Sequence, residues 1–247
     1  MQNAAFEAAG LDWAYVALGV EPERLEEAVA GLVALGFRGA NVTIPHKVAV
    51  VAYCDELDAV AERAGSVNTL VVRDGRVHGS STDGQAVTDA VEADGARVLV
   101  LGAGGAAQAV ATALVAAGCA SLRVAARTPE RGHALALRLL NLFPGRAVTA
   151  AEEWPPPPDD ADLVVNATPL RDEALLDLDG VRQVVDLAYR PEGGDTALVA
   201  AAREAGCDRV VDGLDVLVGQ GALSFERWTG EAAPVDVMRA SVRSLRP

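Results

Sequence analysis

Residues 97–107 read Arg97-Val98-Leu99-Val100-Leu101-Gly102-Ala103-Gly104-Gly105-Ala106-Ala107. The unbroken apolar run predicts a strand covered on both faces, as in a parallel sheet. Glycines follow at once, and then an Ala/Val-rich stretch to about residue 117 that predicts a helix. A Gly-x-Gly-x-x-Gly/Ala match carries weight only between a strand and a helix, and that is where this one lies. Glycines there let backbone N–H groups approach a pyrophosphate at a helix N-terminus, where unpaired donors and the helix dipole favour anions. A glycine-rich turn in another Rossmann-like sheet would share the loop, but the flanking elements favour a dinucleotide.

Working outward, residues 121–126 predict the next strand and 129–140 the next helix. Residues 162–166 and 182–187 predict two more buried strands, 196–205 a helix and 208–211 a short strand. Pro155 to Pro158 is a stiff polyproline run, expected on the surface. The end of the strand at 121–126 bears on which dinucleotide is held. NAD enzymes place an acid there for the ribose 2′-hydroxyl. This chain has Ala125-Ala126-Arg127-Thr128, with Arg123 and Arg131 nearby and no acid before Glu130. Either these arginines cap a strand and a helix, or a guanidinium clamps a 2′-phosphate, which argues NADP over NAD.

Before residue 85 strands and helices alternate in a second α/β pattern. Residues 11–20 predict a strand and 22–35 a helix, with Pro22 at its start, early glutamates, and Leu25, Val29 and Leu32 at helical spacing. The β-branched run at 42–44 predicts a strand end, and 55–64 a helix. Residues 67–72 and 76–78 flank Asp74-Gly75, a hairpin turn signal. Residues 83–93 predict a connecting helix. The last segment, 214–228 and 234–245, reads as helical.

Lys47 is the only lysine among 21 basic Lys and Arg residues. Arginine stays charged, whereas a lysine can exchange its proton as acid or base. A codon preference for arginine with one survivor would give the same composition. Lys47 ends Asn41-Val42-Thr43-Ile44-Pro45-His46-Lys47, and Pro45 places it where a strand gives way to a turn or helix, a region where open α/β sheets hold ligands. Asp83, in Ser81-Thr82-Asp83-Gly84, lies between the two units. Alone it reads as a helix N-cap; beside Lys47 it is the natural charged partner.

The heptapeptide at 41–47 resembles the catalytic motif of the shikimate dehydrogenase family, and the likeness extends over residues 3–10, 65–70, 82–84, 102–107, 126–128, 166–169, 186–191 with Thr196, and 213–230. The resemblance implies reversible reduction of 3-dehydroshikimate to shikimate with NADP. It implies Lys47 and Asp83 as the catalytic pair, and Thr43, Asn68, Tyr189 and Gln220 at the substrate. Gly102, Gly104, Gly105, Ala106, Arg127, Thr128, Asn166, Thr168 and Gly213 would serve the cofactor. Relatives acting on quinate or an aminated analogue, and a catalytically weak NADP-binding protein, are the alternatives. Three departures stand out. Met1-Gln2-Asn3 replaces the family's Met-His-Asn. Thr168-Pro169-Leu170-Arg171-Asp172 replaces Thr-Pro-x-Gly-Met. The chain begins after the family's first strand and its substrate-gripping serines. From that start we expect a less stable first domain that binds shikimate poorly.

The bulk numbers agree with an enzyme of this kind. In 247 residues, 51% hydrophobic and 23% charged content is that of a globular chain, and 4% aromatic content leaves its cores to Ala, Val and Leu. A net charge of −14 argues against a nucleic-acid surface. Cys54, Cys119 and Cys207 have no CxxC spacing and read as small buried residues in a reducing compartment, with no metal role. No apolar run approaches a membrane span and no signal segment opens the chain, so a cytoplasmic location is expected. The expected class is α/β: two doubly wound domains with a cleft between them, the second a Rossmann-type sheet. Residues 1–84 and 213–247 would form the substrate domain and 85–212 the NADP domain. The sequence leaves the oligomeric state open.

Overall fold

A computed structural model describes residues 1–190 and 192–243. The chain opens with α1 (Gln2–Ala8), runs to α2 (Leu25–Ala34), and then forms β1 (Gly39–Asn41), β2 (Glu56–Leu57), α3 (Ala59–Ala64), β3 (Thr69–Arg73) and β4 (Arg76–Ser80). These strands form a sheet of order β1-β3-β4-β2. The β1–β3 and β3–β4 pairs are antiparallel and β2–β4 is parallel. Asp74 and Gly75 both take positive φ (52° and 73°), the backbone of a two-residue hairpin turn, and Arg73 faces Arg76 across it. Leu25, Val29 and Leu32 of α2 pack with Val50, Val67, Leu70 and Val77 to form this sheet's core.

After α4 (Asp83–Thr88) the chain enters a second sheet. It is built from β5 (Arg97–Leu101), α5 (Gly105–Ala116), β6 (Ser121–Ala125), α6 (Pro129–Leu142), β7 (Ala147–Ala150), β8 (Leu163–Asn166), β9 (Gln183–Asp186), α7 (Ala197–Glu204) and β10 (Arg209–Val211). All its strands are parallel, in the order β10-β9-β8-β5-β6-β7. Val98 and Val100 pack on Val110 and Leu114 of α5, while Leu99 and Leu101 pack on Val164, Val184 and Leu198 at the opposite face. Both faces are covered, which is why β5 reads as an unbroken apolar run. The order reverses between β5 and β8, so a crevice opens beyond their carboxyl ends. The chain then returns through α8 (Gly213–Thr229) and α9 (Val235–Arg243), whose Val218, Ala222, Phe225 and Met238 pack on Ala5 and Phe6 of α1.

Several expectations are corrected. Residues 11–20 form no strand: the Tyr15 N–H and C=O are taken by the Asn3 side chain (2.6 and 3.0 Å) rather than by a neighbouring strand, and β1 stays at the sheet edge. Val16 and Leu18 are each 55% exposed, beside a groove of about 510 Å³ floored by Leu25, Val29 and Leu32. The strand expected at 42–44 stops at Asn41, and a turn follows. The helix expected over 55–64 begins at Ala59, since Glu56–Leu57 pairs with β4 and Asp58 caps through Ala61 N–H. The helix expected over 83–93 ends at Thr88. Pro191 and the expected helical residues beyond Arg243 lie outside the described residues. Burial pushes the Cys54 and Cys119 thiols up to about 11, keeping them protonated. Among the described residues no His, Cys, Asp or Glu cluster is placed to hold a metal, and no helix is long and apolar enough to cross a membrane.

Candidate active site

Between the two sheets lies a cleft of about 660 Å³. Thr43, Lys47, Asp83, Ala106, Thr168, Tyr189, Gly213 and Gln220 all contribute to its wall. The turn after β1 carries Thr43 and Lys47, and Lys47 is fixed through its carbonyl, which accepts from Val67 N–H at 2.8 Å. Asp83 is the first residue of α4, so Thr82, not Asp83, is the N-cap. The Asp83 carboxylate turns to the cleft, and its Oδ2 accepts from Lys47 Nζ at 2.6 Å. The two side chains are 15% and 7% exposed, so the pair is shielded yet open to a ligand on one side. Such a pair holds an exchangeable proton at a defined point, within reach of an oxygen placed in the cleft.

Asn68 organises this pair from behind. It is 2% exposed. Its Nδ2 donates to Asp83 Oδ1 at 2.8 Å, to Thr82 Oγ1 at 2.9 Å and to Gln220 Oε1 at 3.3 Å. Its Oδ1 accepts from Thr82 N–H at 2.8 Å. The Asn68 amide is thus spent within the protein, whereas Thr43 and Tyr189 are exposed on the cleft wall. Gln220 lies between these, with Nε2 bonded to Leu217 O and Oε1 to Asn68.

The glycine loop fits an anionic dinucleotide. Gly102 has φ +114°, and a Cβ there would sit 2.9 Å from Ala167 O, so only glycine turns this corner. Gly104 caps α5 without a side-chain bond, and a Cβ there would meet nothing within 4 Å. The space beside Gly104, at the N-terminus of α5, is therefore open, and a helix N-terminus favours an anion there. Arg127 is exposed at the end of β6 and makes no hydrogen bond or ion pair among the described residues; Thr128 beside it caps α6. Arg123, by contrast, is held by Asp159 and Pro157 O. Asn166 is fully buried and shapes the next loop by accepting from Thr168 N–H at 3.0 Å and Thr168 Oγ1 at 2.7 Å. Its Nδ2 donates to Asp186. Burial pushes the Asp186 carboxyl up from the ordinary aspartate value, opposed by bonds from Thr196, Ala188 N–H and Asn166. Gly213 lets α8 start against the 187–188 turn, since a Cβ would lie 2.3 Å from Ala188 O.

The sequence reading did not single out Ser66, whose Oγ donates to Gly105 O at 3.0 Å and so joins the two sheets' loops. Nor did it assign roles to Gln2, Asn41 and Arg171, which line the cleft. Asn41 occupies its place through Ser224 (2.9 Å) and Tyr15 (3.0 Å), partners distant in sequence.

The family description "Shikimate dehydrogenase substrate binding domain" matches residues 1–70, "Shikimate / quinate 5-dehydrogenase" matches 85–185, and "Shikimate 5'-dehydrogenase C-terminal domain" matches 213–243. The NADP(+) shikimate dehydrogenase of Moorella thermoacetica is 46% identical over 259 residues, spanning 98% of this chain and 87% of that protein. This chain belongs to the shikimate dehydrogenase family. A crystal structure of shikimate dehydrogenase in complex with NADP+ superposes with TM-score 0.86 at 33% identity, covering 98% of this chain and 88% of that one. The Thermus thermophilus shikimate dehydrogenase in complex with NADP(H) and shikimate gives 0.83 at 33% identity, covering 99% and 92%. In this chain Ala106, after the glycine loop, and the Lys47–Asp83 pair line one cleft.

Proposed function

We propose that this chain catalyses the NADP-dependent, reversible reduction of 3-dehydroshikimate to shikimate. The observation that carries the reading is the shielded Lys47–Asp83 pair at 2.6 Å, in the same cleft as Ala106, which follows the glycine loop. Bound NADPH supplies the hydride that reduces the substrate carbonyl. Lys47 donates the proton, or stabilises negative charge as it develops on that oxygen, and takes the proton back in the reverse direction. Asp83 orients the ammonium, and Asn68 fixes Asp83. Thr43, Gln220 and Tyr189 present hydroxyl and amide groups to the substrate's polar groups from the cleft wall. The loop at Gly102 and Gly104, with Ala106, would cradle the pyrophosphate, whereas Gly105, also expected there from the sequence, lies against Lys47 and Ser66. Arg127 and Thr128 would take the 2′-phosphate. Thr168, set by Asn166, and Gly213 would border the nicotinamide end.

In this reading residues 1–84 with 213–247 act as the substrate domain and 85–212 as the NADP domain. Support comes from the first sheet, confined to residues 39–80, and the parallel sheet, confined to 97–211. The test is shikimate oxidation with NADP, followed as NADPH absorbance, beside thermal-shift titrations with each ligand. Turnover with shikimate that exceeds turnover with quinate supports the assignment. NADP binding without turnover of any of these polyols would refute it.

A further inference from the structure

Gly105 is not demanded by the dinucleotide fingerprint, whose glycine or alanine positions here are 102, 104 and 107. The structure gives it another reason to be glycine. A Cβ at Gly105 would lie 2.8 Å from Lys47 Cβ and 3.1 Å from Ser66 Oγ. Real side-chain carbons do not approach that closely, so the first residue of α5 lies flush against the Cβ of the lysine. Ser66 closes the contact from the other side: its Oγ donates to Gly105 O at 3.0 Å, and the next residue, Val67, donates to Lys47 O at 2.8 Å. Asp83 is placed against the same helix. Its neighbour Gly84 packs so closely that a Cβ would sit 2.6 Å from Ala109 O and 2.7 Å from Ala113 Cβ. Positions 105, 109 and 113 are four apart and share one face of α5.

We propose that Gly105 and Ser66 are positioning residues for the Lys47–Asp83 pair, with this face of α5 as the common reference surface for both members. The inference rests on the reading of that pair as catalytic. It means that the helix whose first turn faces the dinucleotide also sets the separation of the proton-transfer pair. An oversized residue at 105 would push Lys47 away from Asp83 without filling the open space at Gly104.

Because Lys47 is the only lysine, its amine can be followed without overlap. Three variants of the full chain would be compared with wild type by calorimetric NADP titration, by steady-state kinetics, and by the acetylation rate of the Lys47 amine read by peptide mass spectrometry. Gly105→Ala should lower kcat about 100-fold, the scale for a reacting group misplaced by about 1 Å. It should leave the NADP Kd within threefold and speed Lys47 acetylation at least threefold. Ser66→Ala should lower kcat about fivefold, the scale of one hydrogen bond, with the same unchanged Kd and faster labelling. Gly104→Ala should raise the NADP Kd at least tenfold, because that glycine is the one the pyrophosphate approaches. If Gly105→Ala does not fold, Ser66→Ala decides alone. Unchanged acetylation and more than half of wild-type kcat in the folded variants would overturn the inference. So would a Gly105→Ala defect confined to NADP Kd. A wild-type protein that binds NADP but turns over no shikimate would instead sink the functional reading, and the labelling rates would still decide the positioning role.

Discussion

Asn68 holds the oxygen of Asp83 that Lys47 leaves free. Nδ2 of Asn68 is 2.8 Å from Asp83 Oδ1, and Nζ of Lys47 is 2.6 Å from Oδ2. The carboxylate is therefore gripped at both oxygens and cannot rotate without breaking one bond. Asn68→Ala would strand Oδ1 and the Thr82 N–H in a buried site. The expected cost is about 1–3 kcal/mol for each group left unpaired. Urea unfolding should show a lower midpoint, and kcat should fall more than KM rises. A variant with both unfolding midpoint and kcat at wild-type level would show that Asn68 does not position Asp83.

Lys47→Arg keeps the charge and a partner for Asp83 but removes an exchangeable proton. General acid–base contributions run ~10²–10⁴-fold, and kcat should fall by that order with NADP affinity little changed. Retention of more than half of wild-type kcat would exclude Lys47 as the proton-transfer group.

Arg127, just beyond β6, makes no hydrogen bond or ion pair among the described residues. Arg127→Asp should weaken NADP binding by roughly 2–4 kcal/mol, since a repelling charge replaces a pairing one. NAD, which has no 2′-phosphate, should lose far less. Equal changes in KM for the two cofactors would contradict the assignment of Arg127 to the 2′-phosphate.

The base of the parallel sheet carries an acid-sensitive clamp. Arg97 binds Asp162 through Nε (2.9 Å), and the Arg97 backbone N–H adds a bond at 3.0 Å. The Arg97 side chain first, then its N–H, hold the Asp162 carboxyl down at about 2, against an ordinary value of 3.8. A carboxyl lowered in the folded state binds fewer protons there than when unfolded. Its contribution is present above the unfolded value and is lost as pH falls toward 2. Melting temperatures taken from pH 6 to pH 2.5 should therefore fall less steeply in Asp162→Asn than in wild type. Parallel curves would show that Asp162 does not contribute to acid sensitivity.

The parallel sheet was legible because its strands are buried on both faces, and such strands leave apolar runs, as at 98–101 and 163–166. β7 was not legible. At the sheet edge only Val148 of Ala147–Ala150 is buried, so no run marks it. Residues 11–20 failed in the opposite way, since apolar composition suggests a strand but only a neighbouring backbone makes one. At the site, the pairing of Lys47 with Asp83 was legible through the family resemblance of their motifs, since Asp83 alone reads as a helix cap. The position of Asn68 behind Asp83 was not, because its partner Gln220 is brought there by the return of α8. The Ser66–Gly105 contact was equally hidden, because each residue belongs to a different sheet's loop.

The chain passes between the two sheets twice, entering near Asp83 and returning at Gly213, and both residues line the cleft. Any rotation of one sheet against the other about an axis through two such crossings would displace each atom in proportion to its distance from that axis. Asp83 lies at one crossing and Lys47 is bonded to it at 2.6 Å, so their separation would change least, while residues of the cleft wall further from the crossings would move more.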